Sequence, residues 1–365
     1  MRSEKCKTDG KWAGYEEIIR LFEIVVAVII AFLIVLLAMP TTIRTLKEKG
    51  KVGIDVHKSA KPEVPKGGGY IVLFAIVTSL LVIIGYITFI RAEAVDPALL
   101  AALVSILMAG MIGLLDDNLD FRTRTKIALP LLASIPMAVM AVGTTTISIP
   151  FLGTIEFGAL YPLIIVPLIM TFIIDSTNMY GGMNGLEAGL AAVNSSAVVS
   201  YVILLPLFTG KAIMQSQLDS GTVAAALLGA VLAFLIYNKY PAKILPGDVG
   251  RLPIGAAIAV ALILGNMDRL AIIIFAPFAV NFLLYIIYRI HVKKTGMDYV
   301  KFASPREDGT LEVVGPFTMY WVLPHFFKNM TEKKNVLLLV IFQALLAYGT
   351  VFLLLIAYPW GVGLF

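Results

Sequence analysis

Carboxylate and amide side chains concentrate in three short polar segments of a chain that is otherwise strongly apolar. They read Gly-Leu-Leu-Asp-Asp-Asn-Leu-Asp-Phe-Arg-Thr-Arg-Thr-Lys at 113–126, Asp-Ser-Thr-Asn-Met-Tyr-Gly-Gly-Met-Asn-Gly-Leu-Glu-Ala-Gly at 175–189, and Tyr-Asn-Lys-Tyr-Pro-Ala-Lys-Ile-Leu-Pro-Gly-Asp-Val-Gly-Arg at 237–251. Carboxylates beside clustered cations suit phosphate chemistry, because a metal and basic side chains can share one charged substrate. The pattern therefore indicates a site for a phosphorylated ligand.

The first segment places Asp116 and Asp117 at the end of an apolar helix. The helix dipole is negative there and disfavours carboxylates, so local helix energetics do not explain them. If the helix continued, Asp116 and Asp120 would share a face and repel each other. A divalent cation or the nearby Arg122, Arg124 and Lys126 would offset that repulsion. The alternative is a solvated helix end whose acids pair with its own basic residues.

The second and third segments add further oxygen ligands. Asp175 and Asn178 lie three residues apart and can face one side of a helix end, while Asn184 offers the donor and acceptor that a uracil edge requires. Two prolines break the third segment before Asp248, which stands where a helix N-cap would. The alternatives are a glycine-rich turn with asparagine caps, and a capping role alone for Asp248. Opposite Asp116 and Asn178, however, Asp248 would complete an oxygen-rich Mg²⁺ site.

The composition decides the class of protein. Of 365 residues, 59% are hydrophobic and 15% are charged, and the mean hydropathy is +0.90. Soluble domains have about 45–50% apolar and roughly 25% charged residues. The apolar excess comes in runs long enough to cross a bilayer. A soluble enzyme and a disordered chain are excluded, and the single Cys6 excludes an internal disulfide framework. The three histidines are too scattered to suggest a zinc motif.

We predict an all-α polytopic membrane protein with ten spans. The predicted spans are 18–39, 69–90, 97–115, 126–142, 159–179, 186–205, 222–238, 252–266, 269–290 and 335–358. The connections after the odd-numbered spans hold 21 of the 29 Lys and Arg residues. Positive charge marks the cytoplasmic side, so both termini are expected outside and all three polar segments inside. The basic N-terminal tail is the one discordant element.

The chain is expected to form one integral-membrane domain over 1–365. It begins with a polar tail, 1–17, which lacks the pattern of a signal peptide. Its last cytoplasmic loop is 289–334. Alternating residues at 143–158 predict a small external β-hairpin, and Asp308-Gly309 predicts a small hairpin in the last loop.

The three segments resemble the polyprenyl-phosphate N-acetylhexosamine-1-phosphate transferase family, of the glycosyltransferase 4 type. The matching motifs are Asp-Asp-x-x-Asp followed by Arg-x-Arg-x-Lys at 116–126, Asn-x-x-Gly-Gly-x-Asn-Gly-Leu-Glu-Ala-Gly at 178–189, and Tyr-Asn-x-x-Pro-Ala-x-x-x-x-Gly-Asp at 237–248. The resemblance extends from about residue 50 to 347. Bacterial members usually carry Asp-Gly-x-Asp-Gly where this chain has Gly-Gly-Met-Asn-Gly, and a triple histidine that is absent here. The pattern is therefore most similar to UDP-GlcNAc:dolichyl-phosphate GlcNAc-1-phosphotransferases.

The resemblance implies a role for each candidate residue. Asp116 and Asp117 would orient or deprotonate a lipid phosphate, with Lys126 holding a phosphate. Asn178 and Asp248 would bind Mg²⁺, or Mn²⁺ in its place. The residues expected to contact substrate are Asn184 and Asn238 at the uridine, together with Lys66, Asp175, Lys301 and Arg306. Lys66 lies in the Pro-Lys-Gly-Gly-Gly run at 65–69, which is similar to the family's first cytoplasmic motif. For Lys301 and Arg306, the alternative is solvated positive charge.

The implied reaction is transfer of GlcNAc-1-phosphate from UDP-GlcNAc to dolichyl or another polyprenyl phosphate, the first step of lipid-linked oligosaccharide assembly for N-glycosylation. The expected partners are these two substrates and membrane lipid, with no nucleic acid; a homodimer is left open. The short last loop favours a prokaryotic, archaeal cell membrane. The alternatives are another UDP-N-acetylhexosamine or polyprenyl carrier in cell-wall or polysaccharide synthesis, an ion-coupled transporter, and a structural scaffold. A transporter would be expected to carry acids near span centres and repeated halves, and neither is evident.

Overall fold

The computed structural model describes residues 2–150, 152–210 and 212–357, with side chains from Leu21 onward. Fourteen α-helices account for most of this part of the chain. They are α1 (Arg2–Glu48), α2 (Gly69–Phe89), α3 (Pro97–Leu119), α4 (Thr123–Ala128), α5 (Pro130–Ala133), α6 (Ile135–Val139), α7 (Val166–Tyr180), α8 (Leu186–Thr209), α9 (Gln215–Asn238), α10 (Asp248–Leu264), α11 (Asp268–Ile274), α12 (Ala276–Thr295), α13 (Met319–Phe326) and α14 (Glu332–Ala357). A π-helical turn, Tyr161–Ile165, leads into α7.

Seven of these helical segments are long and apolar enough to cross a membrane. They are Leu21–Glu48, Gly69–Phe89, Pro97–Leu119, Tyr161–Tyr180, Leu186–Thr209, Gln215–Asn238 and Glu332–Ile356. The pair α11 and α12, bent by 46°, makes an eighth if it is counted as one span. The prediction of a multi-pass, mostly helical membrane protein is confirmed.

The two remaining predicted spans have a different form. Segment 252–266 belongs to α10, whose 17 residues extend for about 25 Å. Segment 126–142 is divided among α4, α5 and α6, and Pro130 and Pro136 lie at the starts of the second and third. Proline ends a helix because it lacks an N–H and its ring clashes with the preceding turn. The count of ten spans stays a prediction.

The strands form three antiparallel hairpins outside the helical bundle. Strands β3 (Thr146–Ile149) and β4 (Gly153–Glu156) pair where the external hairpin was predicted, although Phe151 lies outside the described residues. Strands β5 (Ser304–Pro305) and β6 (Leu311–Glu312) pair around Asp308-Gly309, as predicted. Strands β1 (Val52–Ile54) and β2 (Glu63–Pro65) form a hairpin that the sequence did not predict, because each strand has only three residues.

Helix α10 lies at the centre of the bundle. It packs against α2, α3, α7, α8 and α9. All of its residues except Asp248 and Arg251 are buried. A helix that is apolar on every side is stable only inside other protein or lipid. The two polar exceptions both lie in its first turn, so the chemistry is expected at that end.

Glycine lets some helices approach each other very closely. A Cβ atom on Gly113 of α3 would lie 2.2 Å from the carbonyl oxygen of Asp248. A Cβ atom on Gly229 of α9 would lie 2.1 Å from the carbonyl oxygen of Val28 in α1. Small residues at helix contacts allow this approach, and packing contacts then supply much of the association energy in a membrane.

Replacing Gly229 with alanine is therefore expected to destabilise the fold. The added methyl group forces α1 and α9 apart, at a cost of about 1–3 kcal/mol, which lowers the melting temperature of the detergent-solubilised protein. Gly85→Ala in α2 is the matched control, because its Cβ would meet nothing within 4 Å. Equal melting temperatures for the two variants would contradict the proposed packing.

Candidate active site

The end of α3 meets the first turn of α10. Gly113 lies against the α10 backbone, and Asp116 and Asp117 follow it one turn later. Asp117 Oδ2 accepts a hydrogen bond of 2.9 Å from the Val249 amide. First-turn amides have no partner within their own helix, and this end of the helix is positive. The start of α10 therefore stabilises the Asp117 carboxylate, whereas the end of its own helix, α3, disfavours it.

Two lysines neutralise these aspartates. Lys66 Nζ lies 2.9 Å from Asp117 Oδ1, and Lys126 Nζ lies 3.0 Å from Asp116 Oδ1. Lys126 also lies 3.4 Å from Asp120, which follows the end of α3. Lys126 lies between Asp116 and Asp120 and thus relieves the predicted repulsion between these two acids.

Asp248 is the least engaged carboxylate of the group. Its closest ion pair is a long one, 4.0 Å to Arg251 Nη1. It lies near enough to Asp116, Asp117 and Lys66 to interact electrostatically with all three. The N-cap residue of α10 is Gly247, and Asp248 is the first residue of the helix. Asp248 therefore does not occupy the capping position, and capping does not account for it. Asp116, Asp117 and Asp248 are called the carboxylate cluster below.

A buried ion pair that the sequence did not indicate lies behind this cluster. Arg251 Nε lies 2.8 Å from Glu187 Oε1, and the Glu187 side chain is almost fully buried. Glu187 fits beneath Gly181, where a Cβ would lie only 1.7 Å from its carboxylate oxygen. Arg251 follows Asp248 by three residues on a helix, a spacing that could have identified it. Nothing in the sequence pairs it with Glu187.

Asn184 and Asn238 are the two predicted uridine contacts. Asn184 lies in the loop 181–185, and Asn238 holds that loop in place. Asn238 accepts a bond of 3.1 Å from the Gly185 amide and donates one of 2.9 Å to the Ile244 carbonyl. It is only 3% exposed. Asn238 therefore holds the loop backbone in place, and its contact with uridine stays a prediction.

Asp175 and Asn178 lie half-buried in the last turns of α7.

A second polar group surrounds Asn184. The ammonium of Lys58 contacts Asp55, lies 2.7 Å from Asn184 Oδ1 and 3.1 Å from Glu332 Oε2, and sits 4.6 Å from the centre of the Tyr240 ring. Lys58, Asp55, Glu332 and Asn184 are called the lysine node below. Lys58 and Glu332 are far apart in the sequence, so the sequence alone does not indicate this node.

His57 borders the lysine node. Its Nε2 atom is buried with no hydrogen-bond partner among the described residues. Burial lowers the pKa of His57 to about 4, with Lys58 also lowering it and Asp55 opposing the shift. Asp55, His57 and Glu332 place potential metal-ligating atoms within 4.8 Å of one another. Because Lys58 already contacts both carboxylates, the cation that this group holds in the structure is the ammonium.

The two candidates from the last loop lie apart from the carboxylate cluster in the contacts that the structure describes. Lys301 is exposed, with Nζ 5.2 Å from the centre of the Phe302 ring. Arg306 Nε lies 3.6 Å from Glu312. The Ser59 hydroxyl donates to the Arg306 carbonyl at 3.2 Å, which joins the last loop to the β1–β2 hairpin. Arg306 therefore lies on the lysine-node side of the site. Lys301 is on the same side, because the ring of its neighbour Phe302 lies 5.9 Å from the His57 ring.

The carboxylate cluster suits a hard divalent cation better than a soft one. Its donors are all oxygens, and Mg²⁺ typically takes one or two protein carboxylates, with substrate phosphates and water completing its shell. Asp248 has the carboxylate most available for this role, because Asp116 and Asp117 are each paired with a lysine.

Comparison with known proteins gives consistent matches. The sequence profile of glycosyl transferase family 4 matches residues 99–266. A protein of Saccharolobus solfataricus, provisionally named UDP-N-acetylglucosamine–dolichyl-phosphate N-acetylglucosaminephosphotransferase, is 34% identical over 317 residues, covering 87% of this chain and 90% of that protein. A protein of Sulfolobus acidocaldarius with the same name is 32% identical, covering 73% and 79%. The phospho-N-acetylmuramoyl-pentapeptide-transferase of Bacillus pumilus is 30% identical, covering 75% and 85%.

Breaking the Arg251–Glu187 pair is expected to destabilise the protein. Arg251→Met leaves Glu187 buried without its partner, at a cost of about 3 kcal/mol, and the further change Glu187→Gln should recover part of it. The measurement is the melting temperature of the single and double variants.

The control for this pair is Arg44→Met. Arg44 and Glu48 form an ion pair of 4.0 Å on the surface of α1, where both side chains are exposed, and such pairs contribute little. A loss of stability no larger for Arg251→Met than for Arg44→Met would contradict the role of the buried pair.

Proposed function

Because the chain belongs to glycosyl transferase family 4, we propose that it transfers GlcNAc-1-phosphate from UDP-GlcNAc to dolichyl or another polyprenyl phosphate. An oxygen of the lipid phosphate attacks the β-phosphorus, the bond from that phosphorus to the bridging oxygen breaks, and UMP leaves. The observation that carries the proposal is the convergence of Asp116, Asp117 and Asp248 with Lys66 and Lys126 at the first turn of α10.

The lysines account for phosphate binding. Lys66 and Lys126 are held in place by their carboxylate partners and can direct positive charge towards two phosphate groups. Phosphoryl transfer depends chiefly on positioning and on neutralising charge, so fixed ammonium groups lower the barrier. Asp116 and Asp117 orient the acceptor phosphate through these lysines. If the phosphate still carries a proton, either carboxylate can accept it.

The metal in this proposal is Mg²⁺, with Mn²⁺ as its substitute. Asn178 and Asp248 would hold it, and it would supply positive charge to the diphosphate of the donor. Asp248 supports this role through its loose pairing with Arg251, and Asn178 through its place at the end of α7.

The donor is proposed to extend from the carboxylate cluster towards the lysine node. Asn184 and Asn238 would face the uridine, with Asp175 nearby, and Lys301 and Arg306 would approach the sugar and diphosphate from the last loop. The prenyl chain would reach the site sideways from the bilayer. The distribution of basic residues supports a cytoplasmic position for this end of the bundle, with both termini outside. The archaeal relatives support an archaeal cell membrane.

The reaction is tested with UDP-GlcNAc labelled separately in the sugar and in the β-phosphate. Membranes containing the protein, dolichyl phosphate and Mg²⁺ should transfer both labels together into extractable lipid and release UMP, and EDTA should stop the transfer. Sugar label without phosphate would mean a glycosyltransferase that releases UDP. Transfer only from another UDP-acetamido sugar would correct the substrate, and no transfer from any donor would favour a transporter.

Removing the Asp248 carboxylate is expected to abolish transfer while the protein stays folded. Asp248→Ala should lower kcat by roughly 10²–10³-fold, as losses of charge-stabilising groups do, with little change in melting temperature.

Glu48→Gln is the control for Asp248. Glu48 is an exposed acid at the end of α1 that pairs with Arg44, and its neutral variant should keep activity within about threefold. Full activity in Asp248→Ala would rule out the proposed metal ligand.

A further inference from the structure

We propose that Lys58 is a positioning residue that determines the base specificity of the donor site, by fixing which amide atom of Asn184 faces the nucleobase. The inference rests on the proposed function, in which Asn184 contacts the base of a UDP-sugar.

The orientation of the Asn184 amide is set by two donors. Its Oδ1 atom lies 2.7 Å from the Lys58 ammonium and 2.8 Å from the Ala242 backbone amide. Both groups can only donate a hydrogen bond, so the side-chain atom that they contact must be the carbonyl oxygen. The amide nitrogen therefore points the other way, and the described residues provide it with no hydrogen-bond acceptor.

The backbone of Asn184 is fixed by the same node. Its N–H donates to Glu332 Oε1 at 2.7 Å, while Glu332 Oε2 lies 3.1 Å from Lys58. Glu332 and Asn184 are 2% and 5% exposed, so solvent weakens these contacts little. Lys58 thus holds the side chain of Asn184 directly and supports the anchor of its backbone through Glu332.

An amide held in this way presents only a donor to a ligand. The C4 carbonyl of uracil accepts a hydrogen bond, whereas the C4 amine of cytosine is itself a donor. Two donors facing each other leave both groups unsatisfied, which disfavours cytosine by roughly tenfold to a hundredfold. Without Lys58, only the Ala242 amide holds the Asn184 oxygen. Rotating the side-chain amide by half a turn, so that it accepts from the cytosine amine, then costs one hydrogen bond instead of two.

A simple structural clamp would behave differently. Lys58 joins the β1–β2 hairpin to the 181–185 loop and to the start of α14, so its loss could merely loosen the site. Loosening weakens the binding of UMP and CMP by the same factor. A change in the ratio of the two affinities is therefore the readout that separates positioning from clamping.

The experiment measures UMP and CMP binding to the full-length, detergent-solubilised protein with Mg²⁺, by isothermal titration calorimetry. The wild type should bind UMP at least tenfold more tightly than CMP. Lys58→Met should reduce that ratio to within about threefold. Lys61→Met, an exposed lysine in the same loop, is the matched control and should keep the wild-type ratio.

A second variant keeps the test decisive if Lys58→Met does not fold. Asn184→Asp retains an oxygen for Lys58 and Ala242 and replaces the outward donor with an acceptor, so its preference should reverse towards CMP. A wild-type ratio in both variants, or equal weakening of both nucleotides, would overturn the positioning role alone. A wild type that binds neither nucleotide would overturn the proposed function as well.

Discussion

The contact between the end of α3 and the start of α10 is the constraint on which the site depends. Gly113 brings the two backbones together, and the carboxylate of Asp117 then caps an amide of the neighbouring helix. A carboxylate that is unfavourable at the end of its own helix becomes favourable at the start of another. One crossing therefore places two sequence motifs, 132 residues apart, within hydrogen-bonding distance.

Charge pairing extends this arrangement through the rest of the site. Asp116, Asp117 and Glu187 each have a cation within 3.0 Å, and Lys58 lies between two carboxylates. A buried charge without a partner is costly, so each ion pair obliges two distant segments to meet. The same contacts that stabilise the fold at this end also hold lysine and asparagine side chains at fixed positions.

The class of fold and all three members of the carboxylate cluster could be predicted from the sequence, because long apolar runs and acids at their ends are local signals. The two prolines that break segment 126–142 could be seen, but whether the pieces still cross a bilayer depends on their packing. The lysine node could not be predicted, because Lys58, Asn184 and Glu332 meet only through tertiary structure. Asn238 was recognised as part of a motif, whereas its bonds to the Gly185 and Ile244 backbone needed coordinates.

The burial of α10 has a consequence for biosynthesis. A helix that carries Asp248 and Arg251 and spans only 17 residues is poorly suited to lie alone in lipid. Its packing partners α2, α3, α7, α8 and α9 all precede it in the chain. When α10 emerges from the ribosome, these five helices have already been synthesised, so its short apolar stretch can pack against protein while its polar first turn stays at the proposed cytoplasmic end.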